Sequence, residues 1–147
     1  MMRLAKTGRP GPGDRTESRG GTMTDRLDEF RAYRERMNDR ILSSGHLGIR
    51  RFFRLDQAAY EDTALETRTL EMLGLVASMV LRCDDCVAYH VIRCREEGVA
   101  DEEMFDVFNV ALVVGGSIVI PHLRRAVELL DELPRERGKP GTRTRGA

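Results

Sequence analysis

Tryptophan is absent from this 147-residue chain, aromatic residues make up only 5%, and residues 23–134 contain no lysine. The missing lysine excludes Schiff-base catalysis in that stretch. No run reaches the ~18 consecutive apolar residues of a membrane span. The basic start is followed by no apolar segment of a secretory leader. A cytoplasmic protein with no membrane partner is therefore expected. No Walker loop, dinucleotide fingerprint or Gly-x-Ser-x-Gly elbow occurs either. Three cysteines in a chain of this size do not make a disulfide framework of the secreted kind.

What is present divides into a body and two tails. Residues 1–22 carry five basic and two acidic side chains, and residues 135–147 carry five and one. That leaves 14 basic against 21 acidic in 23–134, a net of −7 within a chain whose total is zero. An acidic body repels phosphate, so nucleic acid is not an expected partner. Both tails are rich in Gly, Pro, Arg or Thr without periodicity and are expected to be disordered. Met23, just before Thr24-Asp25-Arg26-Leu27, stands at a good helix start and is a candidate initiator. The body, 23–134, is long enough for one domain with its own core.

Its apolar spacing predicts an all-α fold of about six helices. Leu27, Phe30, Met37 and Ile41 mark the first, with Gly45 placed to end it. A second is expected over Ile49–Tyr60, burying Phe52, Phe53 and Leu55. Thr67–Leu81 is apolar almost all round after its first turn, the pattern of a helix buried in the body or in an interface. Cys83–Glu97 follows, with Asp84 and Asp85 at its positive end and Gly98 at its stop. Asp101 is placed to cap the next helix. The β-branched run around Gly115-Gly116 could form a hairpin, but a lone hairpin has no partner strands, so a helix break is expected there. Pro121 then opens a last helix to about Leu133.

The chemistry is concentrated in Cys83-Asp84-Asp85-Cys86-Val87-Ala88-Tyr89-His90, with Glu71 twelve residues before the first cysteine. At ~100° per residue, Cys83, Cys86, His90 and Cys94 fall within one ~80° sector of a helix. Such a sector can simply be the core stripe, since cysteine buries readily. It can also be a site, because thiols at a helix N-terminus ionise more easily. Zinc is the competing reading. Cys83 and Cys94 would lie ~16 Å apart along the axis, too far to share an ion. Cys83, Cys86 and His90 could share one, but would need a fourth ligand or an open position from elsewhere. Cys94 reads as a core thiol. Cys86 and His90, four apart, are helix-surface neighbours, so the imidazole could take the thiol proton directly or through a water. The Cys86 thiolate could then attack a peroxide, and Cys83 condense with the resulting sulfenic acid. Glu71 is either an exposed first-turn acid or an inward carboxylate orienting His90. His122 shows no partner in sequence and reads as structural; His46 carries no signal.

The Glu71-x11-Cys83-x2-Cys86-x3-His90 pattern resembles the alkylhydroperoxidase D-like branch of the carboxymuconolactone decarboxylase superfamily, over about residues 24–133. The resemblance implies an all-helical homo-oligomer, trimeric or hexameric. It makes Cys86 the peroxidatic cysteine, Cys83 the resolving cysteine, and His90 and Glu71 the proton relay. No cofactor beyond the redox-active disulfide is implied; the partners are a hydroperoxide substrate and an external dithiol reductant, of lipoyl type. One departure stands out. Asp85 occupies the position where those peroxidases carry histidine, and with Asp84 it would raise the thiol pKa against the helix dipole and Arg82. Three functions follow: a dithiol peroxidase, a non-catalytic redox-sensing helical oligomer, or a lyase of the decarboxylase type.

Overall fold

The computed structural model describes residues 23–134, and the two basic tails lie outside the described residues. Six α-helices follow one another: α1 Met23–Leu42, α2 Leu47–Ala58, α3 Thr67–Leu81, α4 Asp84–Glu96, α5 Asp101–Gly115 and α6 Ile120–Glu132. A 3-10 turn, Ser117–Val119, joins the last two, and no strand occurs among the described residues. The fold is all-α, as the periodicity predicts.

α3 and α4 form an antiparallel pair, and α5 and α6 pack against it. The tight connection depends on Arg82, a non-glycine residue in the left-handed region (φ 59°). Its N–H and that of Cys83 close back onto the carbonyls at the end of α3, to Met79 at 3.1 Å and Ser78 at 3.1 Å. Cys83 is thereby delivered as the N-cap of α4 rather than as its first helical residue. Similarly, Asp101 opens α5 from inside, Ala100 holding the cap position. Glu103 Oε2 accepts the Ala100 N–H at 2.8 Å. The glycine pair ends α5: Gly116 takes φ 74°, a conformation that stops a helix and costs a side-chain-bearing residue strain. Pro121 follows in the first turn of α6.

The core is one cluster. Leu75 and Met79 of α3, Val91 and Cys94 of α4, Met104 and Phe108 of α5, and Ala126 and Leu130 of α6 meet in it, with Leu27 and Phe30 of α1 packed against its side. At its margins the single chain leaves apolar residues uncovered. α2 has no buried residue: Phe52 is 65% and Leu55 69% exposed, and only Phe53 is partly covered. Amphipathic spacing identifies an apolar face but not what covers it, and within one chain little besides α1 packs on α2. α3 is not covered all round either, since Leu73 and Leu81 reach solvent. Val110, Val113, Val114 and Ile118 extend this exposed apolar surface around the end of α5.

Candidate functional site

The α3–α4 turn sets four side chains relative to one another. Cys83 and Cys86 are joined as a disulfide across the first turn of α4, their Cα atoms 5.3 Å apart. The Cys86 N–H also points at Cys83 Sγ, 3.4 Å away. Both cysteines are half-buried. One turn further into α4, His90 is buried, and because α3 runs antiparallel, Glu71 from its first turns reaches the same depth.

Glu71 is only 1% exposed, and its carboxylate is fully engaged. Oε2 lies 2.7 Å from His90 Nδ1, and Oε1 accepts from Arg93 Nε at 3.2 Å. Of the two sequence readings of Glu71, the inward one describes its position. A carboxylate accepts, so the proton belongs on His90 Nδ1, and Nε2 of the neutral ring is the acceptor. The Tyr60 hydroxyl lies 3.4 Å from that Nε2. Tyr60 and Tyr89 flank the imidazole, with ring centroids 5.1 and 5.2 Å away. Burial first, then the Asp56 and Glu71 carboxylates, raise the Tyr60 pKa; burial does the same for Tyr89.

Besides Tyr89, three members of this cluster are not identified by the sequence reading. Arg93 is one: it ties Glu71 to Glu96 and Glu97, each at 2.7 Å. Burial opposes its charge, but hydrogen bonds to Glu96 and Glu71 more than offset that and raise its pKa. Its place three residues after His90, with acids three and four beyond, was a usable signal. Tyr60 is the second; it sits in the α2–α3 loop, where its carbonyl accepts from Thr67 Oγ1 at 2.8 Å. Gly74 is the third. A β-carbon there would stand 2.6 Å from His90 Cε1 and 2.9 Å from a ring carbon of Tyr60. Only a glycine lets both rings approach α3 this closely. Glu71, Tyr60, Tyr89 and Arg93 line a cleft of about 700 Å³ that Arg34 and Phe53 also border and that neither cysteine reaches.

Cys94 shares the helix sector with the pair but not its surroundings. It is fully buried, and burial pushes its thiol up to about 12. Among the described residues no group of three or more His, Cys, Asp or Glu is arranged to hold a metal ion. No helix among them is long and apolar enough to cross a membrane.

His122 has a partner, 38 residues away in sequence: its Nδ1 lies 2.6 Å from Asp84 Oδ1. Arg125 Nε reaches the same oxygen at 3.1 Å, and its NH2 reaches Oδ2 at 2.9 Å. Burial pushes the Asp84 carboxyl up, but these two partners outweigh it and leave its pKa below the usual value. His46, silent in the sequence, caps α2, its Nδ1 accepting the Ile49 N–H at 3.3 Å.

Comparisons with known proteins find relatives in sequence and in structure. A Thermotoga maritima crystal structure matches with a TM-score of 0.70 and 56% identity, covering 71% of this chain and 91% of that one. A second Thermotoga maritima structure, at 1.56 Å, matches with a TM-score of 0.69 and 55% identity, over 71% of this chain and 88% of that one. It is a carboxymuconolactone decarboxylase family protein for which involvement in an antioxidative response has been suggested. A Legionella pneumophila family member, 24% identical with a TM-score of 0.54 over 75% of this chain and 91% of that one, shares the fold. In Paracoccus denitrificans, uncharacterized protein 4 in cox locus is 28% identical over 82 residues, 56% of this chain and 74% of that protein. The model of the carboxymuconolactone decarboxylase family matches residues 49–129, more than half of the chain, and the protein belongs to that family.

Proposed function

We propose that the protein is a dithiol peroxidase, reducing hydroperoxides through Cys83 and Cys86 at the expense of an external dithiol. The observation that carries this reading is His90, on the helix that begins at the Cys83–Cys86 disulfide, held by the buried Glu71 carboxylate of α3. A redox pair alone is common; one with a fixed imidazole on the same helix has a proton carrier.

The cycle begins with both thiols reduced. His90 Nε2, the nitrogen not bound to Glu71, takes the Cys86 proton directly or through a water. The thiolate attacks the outer peroxide oxygen, the O–O bond breaks, and Cys86 becomes a sulfenic acid. The alkoxide leaves with the proton held by His90, as an alcohol. Cys83 sulfur then displaces hydroxide from Cys86, forming the disulfide and, with the remaining thiol proton, water. An external dithiol, of lipoyl type, reopens the bond by two exchanges and leaves as its own disulfide. Glu71 orients the imidazole through Nδ1, and Arg93 fixes Glu71. Tyr60, open to the cleft, offers His90 a route for proton exchange with solvent.

The decisive experiment treats the reduced protein with one equivalent of hydroperoxide and maps the cysteines by mass spectrometry. Cys83 and Cys86 are expected to join with loss of two hydrogens, and Cys86→Ser to abolish turnover with a dithiol donor. Unchanged turnover in that variant would sink the reading.

The active form is proposed to be a homo-oligomer, trimeric or hexameric. In support, Phe52, Leu55, Val113 and Ile118 are exposed on the single chain, apolar side chains that a partner chain could cover. Light scattering should give the mass of three or six chains; a monomeric mass at micromolar concentration overturns it.

A further inference from the structure

The two aspartates between the cysteines look from sequence like a handicap, because a carboxylate beside a thiol disfavours the thiolate. The structure treats them unequally. Asp84, adjacent to Cys83, is held from α6 by Arg125 at both oxygens and by His122 at one. Asp84 is the first residue of α4, so these bonds fasten α6 to the helix turn that carries the disulfide. The Arg125 and Asp84 side chains are 52% and 50% exposed, so their pairing adds little to stability. Stability is therefore not what this contact offers; its value lies in its position. A positive charge placed on Asp84 cancels a negative one at the point where the thiols ionise, leaving the α4 dipole free to favour the thiolate.

We propose that Arg125 is a positioning residue for the redox pair: with His122 it holds and neutralises the Asp84 carboxylate, keeping the neighbouring thiols easily ionised. Arg82 immediately precedes Cys83, and Asp85 on α4 with Glu128 and Glu132 on α6 lines a cleft of about 240 Å³ together with Asp84 and Arg125. Among the described residues lining that cleft, Arg125 is the basic one. The proposal rests on the redox reading of Cys83 and Cys86 but is tested without peroxide.

The test is the rate of iodoacetamide alkylation of the fully reduced protein against pH, read separately for Cys83, Cys86 and Cys94 by mass spectrometry. Arg125→Gln should slow alkylation of the pair near neutral pH about three- to five-fold, the size expected of one partly screened charge. Arg125→Lys should keep the wild-type rate. Adding Asp84→Asn to Arg125→Gln should restore it, because the charge left bare is then gone. Cys94 should stay unmodified throughout, reporting a closed core. A wild-type profile in Arg125→Gln, or slowing that persists in the double variant, overturns the proposal. Should Arg125→Gln open the core, Arg125→Lys and Asp84→Asn still decide: slowing in either overturns it. Failure of peroxide turnover in the wild-type protein would refute the peroxidase reading and leave this result standing.

Discussion

His90 lies against the backbone of Gly74 so closely that a single added methyl would overlap its ring, 2.6 Å from Cε1. Alanine normally stabilises a helix interior by about 1 kcal/mol over glycine. Here the clash wins: Gly74→Ala should cost about 1–3 kcal/mol, as overpacking does. Because His90 and Tyr60 must both give way, turnover should fall more than stability predicts. Thermal unfolding and peroxide kinetics on one preparation separate the two; a more stable, fully active variant would contradict the packing.

Glu71→Gln removes the charge that His90 and Arg93 face inside the protein. Losing one partner of a buried ionic cluster should cost about 2–4 kcal/mol in urea unfolding, the amide oxygen keeping one hydrogen bond. Turnover should fall about a hundred-fold, the scale of lost acid–base assistance. A variant of normal stability and rate would remove Glu71 from the relay.

Tyr60→Phe deletes only the hydroxyl facing His90 Nε2. The bond is 3.4 Å long and part-buried, so stability should change by less than about 1 kcal/mol. Peroxide turnover should drop several-fold, with Cys83 and Cys86 alkylation unchanged. Equal losses in both assays would mean that Tyr60 shapes the site rather than supplying protons.

Cys94 gives an alkaline signature. Its thiol has an ordinary value of 9.0 and is pushed up to about 12 by burial. Between those limits the unfolded chain loses a proton that the folded one keeps, so stability falls as pH rises, by up to about 1.4 kcal/mol per unit. Tyr60 and Tyr89, also raised, add to the slope at its upper end. The difference between wild type and Cys94→Ala isolates the thiol. Equal slopes in the two would show that Cys94 does not remain protonated.

Local rules made much of this fold legible. Apolar spacing placed α3 at Thr67–Leu81, and the glycine pair marked the end of α5. One residue of error at each start of α4 and α5 reflects a cap that is extended in backbone yet bonded to the helix. Phe52 and Leu55 were misjudged because burial needs a covering surface, which helical period does not encode. In the site, Glu71 and His90 were found through their spacing to the cysteines, and the structure brings them together. Arg125 and His122 were not, because the contact to Asp84 depends on how α6 packs on α4. Gly74 was silent for another reason: a glycine inside a helix reads as a weakness until the neighbouring ring is placed.

Three thiols allow three different pairings. Sealing Cys94 in the core leaves only one of them accessible. Within the chain, Cys83–Cys86 is then the pairing left open, with no scrambled internal isomers to be sorted out afterwards. Under the proposed cycle, the end point of oxidation is readable as a single two-hydrogen step in mass.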